Sequence, residues 1–179
     1  MRGLSLFFAL WAAAGCSQTL EREAESDALR EFAADAHLLD PNEKLQPSSA
    51  LNAAKLATRY LSEGRLEEVA LLSNAPKARF DRLREALQGW APEDFRRAYG
   101  PFFDADSWIV GEVAQGPHHL IMWRRGDLGH IAGYLLVEIG GKYFLDDVPS
   151  PERSRLRRIL ESFRARVGEH PPGEPRQEP

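Results

Sequence analysis

The chain has 179 residues, 43% of them hydrophobic and 28% charged, with a formal net charge of -4 and a single cysteine, Cys16. One cysteine excludes an internal disulfide and a cysteine-built zinc site, and no apolar run reaches the roughly 18 residues that a membrane-spanning helix needs. The acidic balance leaves no global footprint for nucleic acid, and the length suits one domain.

In chain order, Arg2 and the amino terminus precede an apolar run over residues 4–14, which is the length of a signal-peptide core. Ala13-Ala14-Gly15-Cys16 follows, three small residues that admit a peptidase and then a thiol nucleophile. These four residues resemble the lipobox of bacterial lipoproteins, with Ala13 where that family usually has Leu. The resemblance implies cleavage between Gly15 and Cys16 and acylation of the Cys16 thiol, and several acyl chains make such an anchor effectively permanent. Ser17 replaces the Asp that retains lipoproteins at the inner membrane, so the resemblance favours the outer membrane, facing the periplasm.

Residues 16–48 are polar and acidic, with Glu21, Glu23, Glu25, Asp27 and Glu31 among alanines and few apolar positions. They read as a spacer, partly helical up to Leu39 and ended by Asp40-Pro41. A folded domain is expected over 49–167. Ser48-Ser49 starts a helix with Leu51, Ala54, Ala57, Tyr60 and Leu61 on one face, and Gly64 offers its cap. Leu66, Val69 and Leu72 mark a short second helix. Pro76 opens a third helix with Phe80, Leu83, Leu87 and Trp90 along one side, and Pro92 a fourth with Phe95 and Tyr99.

The periodicity then changes. Residues 108–114, 120–125, 131–139 and 143–148 are β-branched or aromatic runs divided by glycine-containing turns, which predicts an antiparallel meander. Ser150-Pro151-Glu152 caps a last helix with Leu156, Ile159, Leu160, Phe163 and Val167 on one stripe. Residues 168–179, with four prolines, read as a disordered tail. Helices, meander and closing helix predict an α+β domain.

The paired short helices around Tyr60-Leu61-Ser62-Glu63-Gly64-Arg65-Leu66-Glu67-Glu68, and the strand Lys142-Tyr143-Phe144-Leu145-Asp146-Asp147-Val148, resemble an NTF2-like domain over residues 49–148. The resemblance implies a curved sheet wrapped on a helix as a cone, open as a pocket or packed as a core. The terminal helix is an addition to that pattern. Enzymes of this kind use Asp, His and Tyr inside the cone, which makes Asp147, His119, Tyr134 and Tyr143 the set to test.

Several side chains are candidates for chemistry. His118 and His119 are strand neighbours that face opposite ways, so they read as a solvated strand start and not as a shared metal site. Asp146 and Asp147 are split in the same manner, Asp147 with Tyr143 and Leu145, Asp146 with Phe144 and Val148. Asp104 and Asp106 lack the further oxygens and the glycine of a calcium loop and read as a turn. Trp90, Trp108 and Trp123 read as core. No nucleophile elbow, phosphate loop or paired His-Glu helix is present, and no metal or cofactor is expected. The closing helix carries Arg153, Arg155, Arg157, Arg158, Arg164 and Arg166 against Glu152 and Glu161, a basic patch suited to anionic headgroups or an acidic partner.

The expectation is therefore a membrane-anchored envelope lipoprotein that binds or scaffolds another envelope protein without catalysis. A cone-pocket isomerase or dehydratase, a carrier of small hydrophobic ligands, and an immunity or inhibitor protein stay open beside it.

Overall fold

The computed structural model describes residues 28–34, 36–126 and 129–169. It begins with a strand, β1 (Ala28–Glu31), residues 36–49 are irregular, and the Ser49 hydroxyl accepts the Asn52 N–H and starts α1 (Ala50–Ser62). Three helices follow, α2 (Leu66–Leu71), α3 (Pro76–Ala86) and α4 (Pro92–Tyr99), the last two each opening on a proline whose fixed φ suits that position. A 3-10 turn (Gly100–Phe103) leads into β2 (Trp108–Gln115), β3 (His118–Arg125), β4 (His130–Ile139) and β5 (Lys142–Leu145), and α5 (Pro151–Glu169) closes the fold.

The five strands form one open sheet in the order β1-β2-β3-β4-β5, every pair antiparallel. The architecture is α+β, as expected. Gly140 and Gly141 both have positive φ (60° and 76°), which a two-residue β4–β5 hairpin demands and which side chains resist. A bulge between Ile109 and Gly111 reverses the alternation of β2, so Ile109 meets Trp123 on one face while Val113 meets Leu120 on the other.

Each face of the sheet has its own core. On one side the small face of α1, including Ala53, Ala54 and Ala57, lies close over Ile121, Trp123 and Leu136. Trp123 is fully buried, edge-on to Phe102 at 5.1 Å. On the other side Leu156 and Leu160 of α5 pack on Val113, Leu120, Met122 and Ile131. Gly133 on β4 permits this approach, because a Cβ there would overlap the Leu160 side chain.

Three expectations need correction. The acidic stretch expected as a partly helical spacer joins the fold from Ala28 onward: β1 pairs with β2, Phe32 N–H donates to Val110 O at 3.0 Å, and Leu39 is buried in the α1-side core. Arg59 of α1 holds this stretch by donating to the carbonyls of Glu43 and Asp40, both at 2.6 Å. The open edge of β2 supplies the partners that make residues 28–31 a strand. Second, the predicted apolar side of α3 has no buried residue, and Phe80, Leu83 and Leu87 are half-buried. Trp90 is 37% exposed, set edge-on against Phe95 instead of in the core. Third, the final strand stops at Leu145, since the backbone leaves the ladder there to reach α5. The expected turn at Asp104 and Asp106 is present, with Ser107 N–H donating to Asp104 O at 2.9 Å.

Candidate functional site

The end of β5 is where the chain concentrates charge. Asp146 and Asp147 follow the last strand residue and take separate partners, and each carboxylate is nearly sealed, at 2% and 6% exposure. Asp147 accepts from Ser73 Oγ at 2.6 Å, Arg79 Nε at 2.7 Å and Arg82 at 2.6 Å. Asp146 accepts from Asn74 Nδ2 at 2.8 Å and His118 Nδ1 at 3.0 Å, and its carbonyl takes Arg153 Nε at 2.7 Å. Asn74 also accepts the Asp147 N–H at 2.8 Å. The two aspartates thus tie the α2–α3 loop, α3, β3 and the start of α5 into one junction.

The residues singled out for cone chemistry are not assembled into one set. Asp147 belongs to the junction, its oxygens engaged by two guanidinium groups and a hydroxyl. Tyr134 sits under α1, where its hydroxyl lies 2.7 Å from Thr58 Oγ1. Because the Thr58 hydroxyl itself donates to Ala54 O at 3.0 Å, Tyr134 is the donor in that pair. Burial pushes the Tyr134 hydroxyl up to about 12. His119 turns to Glu112, Nδ1 to Oε1 at 2.8 Å, and meets the Tyr143 ring edge-on at 5.1 Å. Those two are the members of the set in contact. Neither histidine is the solvated strand start expected, since each is largely covered and holds a carboxylate.

A cleft opens beside this junction. Of β4, only Leu136–Ile139 pair with β5, one further bond runs from Asp146 N–H to Leu135 O at 2.8 Å, and the first half of β4 is left without a strand on that side. The chain crosses instead to α5, which runs over the sheet. Arg153, Arg157, Glu161 and Arg164 recur at helical spacing along the α5 flank beside the β4 edge. Between this flank, α1, α2 and β4 is a cavity of about 320 Å³. Arg79 reaches it from α3, while Leu61, Val69, Leu135 and Leu145 give it an apolar wall and Tyr134 part of its floor.

The four guanidinium groups of the cleft are not equivalent. Arg79 is paired with Asp147, and Arg164 donates to Ile131 O at 2.8 Å and to Glu161 at 3.0 Å. Arg153 is held by a neutral carbonyl, and Arg157 has no hydrogen-bond or ion-pair partner among the described residues. Two positive charges at the cleft therefore lack an acid of their own. The sequence marked Arg153, Arg157 and Arg164 through their helix but gave no signal for Arg79, which arrives from a different element.

Gly15 and Cys16, together with residues 1–27 and 170–179, lie outside the described residues. Among the described residues no group of three or more His, Cys, Asp or Glu converges as metal ligands, and no helix is long and apolar enough to cross a membrane. No protein-family model, curated protein or solved structure matches the chain.

Proposed function

We propose that this protein is an envelope lipoprotein, acylated at Cys16 and held at the outer membrane, whose NTF2-like domain binds another envelope protein without catalysing a reaction. The lipobox-like Ala13-Ala14-Gly15-Cys16 supports the anchor, and the curved-sheet reading draws support from α1 packed across an antiparallel meander. The observation that carries protein binding is the outer surface of α2 and α3. Leu71 is 69% exposed, and with Ala70, Pro76 and Phe80 it borders an open groove of about 340 Å³ rimmed by Glu67 and Lys77. A helix with no buried residue but an outward apolar groove suits an interface better than a core. The occupant this chemistry fits is an apolar segment of a partner with one charge of each sign at its flanks.

Two measurements test the reading. Cys16→Ser should abolish fatty-acid labelling and leave an uncleaved precursor, and a labelled variant would end the lipoprotein assignment. A photo-crosslinking residue at Leu71 should give one discrete adduct in whole envelopes that Phe80→Glu removes and Arg157→Glu leaves intact. Absence of an adduct, or an adduct indifferent to Phe80→Glu, overturns the interface. The β4-edge cleft favours a second reading, carriage of a small ligand.

A further inference from the structure

We propose that the cleft beside β4 is a binding site for a small amphiphile with an oxyanion head, a carboxylate or phosphate carried on a short apolar chain. The inference is independent of the α2–α3 groove, with which the cleft shares no lining residue.

A cavity of about 320 Å³ falls at the lower end of the range that encloses small molecules, roughly 300–1,000 Å³, and is too small for a folded protein element. It exists because β5 is only four residues long, so the chain exposes the flank of β4 and then covers it from above with α5.

In a protein of net charge -4, this cleft gathers four guanidinium groups against the carboxylates of Asp146 and Glu161. Asp146 is already engaged by Asn74 and His118, and Glu161 by Arg164. Arg153 and Arg157, one helical turn apart on α5, present guanidinium edges that no carboxylate among the described residues satisfies. Arg153 is fixed through Nε, which leaves its terminal nitrogens as donors in a set orientation. Paired, planar donors of this kind bind carboxylate and phosphate through parallel charge-assisted hydrogen bonds.

Leu61, Val69, Leu135 and Leu145 line the same cavity as the arginines, so a head held by Arg153 and Arg157 would carry its chain against them. A bare anion would leave that wall unused. A neutral hydrophobe would leave the two arginines unmatched.

The test uses the full chain carrying Cys16→Ser, so that no acyl group of its own competes, titrated by calorimetry and by amide NMR. Octanoate and octyl phosphate should bind and shift the amides of Gly133 and Leu135. Acetate and inorganic phosphate should bind at least about tenfold more weakly, since each buried methylene contributes up to about fourfold. Octyl glucoside should leave these amides unmoved. Arg157→Gln should weaken octanoate about tenfold without changing the unfolding transition. Equal binding of octyl glucoside, unchanged affinity in Arg157→Gln, or shifts confined to other regions would overturn the proposal. Inorganic phosphate binding as tightly as octyl phosphate would reduce the cleft to an ion site, and the amphiphile would be rejected. Binding to phosphatidylglycerol vesicles with none to the monomeric amphiphiles would place the arginines against a bilayer and sink the proposal equally.

Discussion

Arginine has opposite circumstances on the two sides of a short boundary in this protein. In the Asp146–Asp147 junction, Arg79 and Arg82 converge on one carboxylate that is 6% exposed, and a serine hydroxyl fills its remaining space. Along the α5 flank, Arg157 faces the cleft with no partner among the described residues, and Arg153 touches only a carbonyl. Burial makes the difference. A carboxylate sealed from water must be matched by donors or it destabilises the fold, whereas a guanidinium at the rim of an open cleft keeps its hydration until something displaces it. The junction is therefore the part of the charge pattern that the fold requires, and the flank is the part it leaves available.

Removing the buried carboxylate should break the comparison most visibly. Asp147→Ala removes the acceptor shared by Arg79, Arg82 and Ser73 and with it the ion pairs that tie α3 to the end of β5, and it should cost about 2–3 kcal/mol in a urea unfolding titration. A loss below about 1 kcal/mol would mean that the junction is no more essential than the flank.

How far this division was legible in the sequence depends on the distance over which it is set. The strand runs, the Gly140-Gly141 turn and the Ser49 cap all follow from local chemistry. The partners of Asp147 stand 65 and 68 residues away on α3, where nothing local announces them. β1 escaped notice for a related reason. Ala28-Leu29-Arg30-Glu31 has no strand composition, and it is extended because β2 offers an unpaired edge. The apolar spacing on α3 was real, but spacing does not say whether the stripe turns inward, and here it lies largely at the surface. Similarly, the basic character of α5 was plain, while the cleft beneath it arises from where β5 happens to stop.

Tyr134 sharpens the boundary from below, since it is bonded into the α1 core and also floors the cleft. Its hydroxyl is raised from about 10 when unfolded to about 12 in the fold, so below pH 10 both states keep the proton and stability is unaffected. As pH rises from 10 to 12 the unfolded chain releases it first, and about 2 kcal/mol of stability should be lost across that window. The slope should fall by that amount in Tyr134→Phe and leave the part due to Tyr99 and Tyr143, both also raised by burial. An ultraviolet titration that ionises all four tyrosines together near pH 10 would show that the cleft floods this layer.

Asn74→Ala removes one neutral member of the junction, with hydrogen bonds to the Asp146 carboxylate and the Asp147 N–H, and should cost about 1–2 kcal/mol by the same urea measurement. The charged networks of Asp147 with its arginines would persist, so the change should fall clearly below that of Asp147→Ala. Equal losses would mean that Asn74, and not the ion pairs, holds the loop.

The smallest effect belongs to the flank. Arg157 is exposed and holds no other group among the described residues, so Arg157→Gln should leave the unfolding free energy within about 0.5 kcal/mol of the parent. The substitution also relieves repulsion from Arg153 one turn away, which makes a slight gain the more natural sign. Arg79→Gln, the matched change across the boundary, deprives a buried carboxylate of a charged donor and should destabilise by more than 1 kcal/mol. If the two variants unfold alike, burial does not separate these arginines and the distinction between required and available charge fails. If Arg157→Gln alone is silent, a guanidinium that does nothing for the fold remains at the mouth of a cavity, and its role must be sought in what enters.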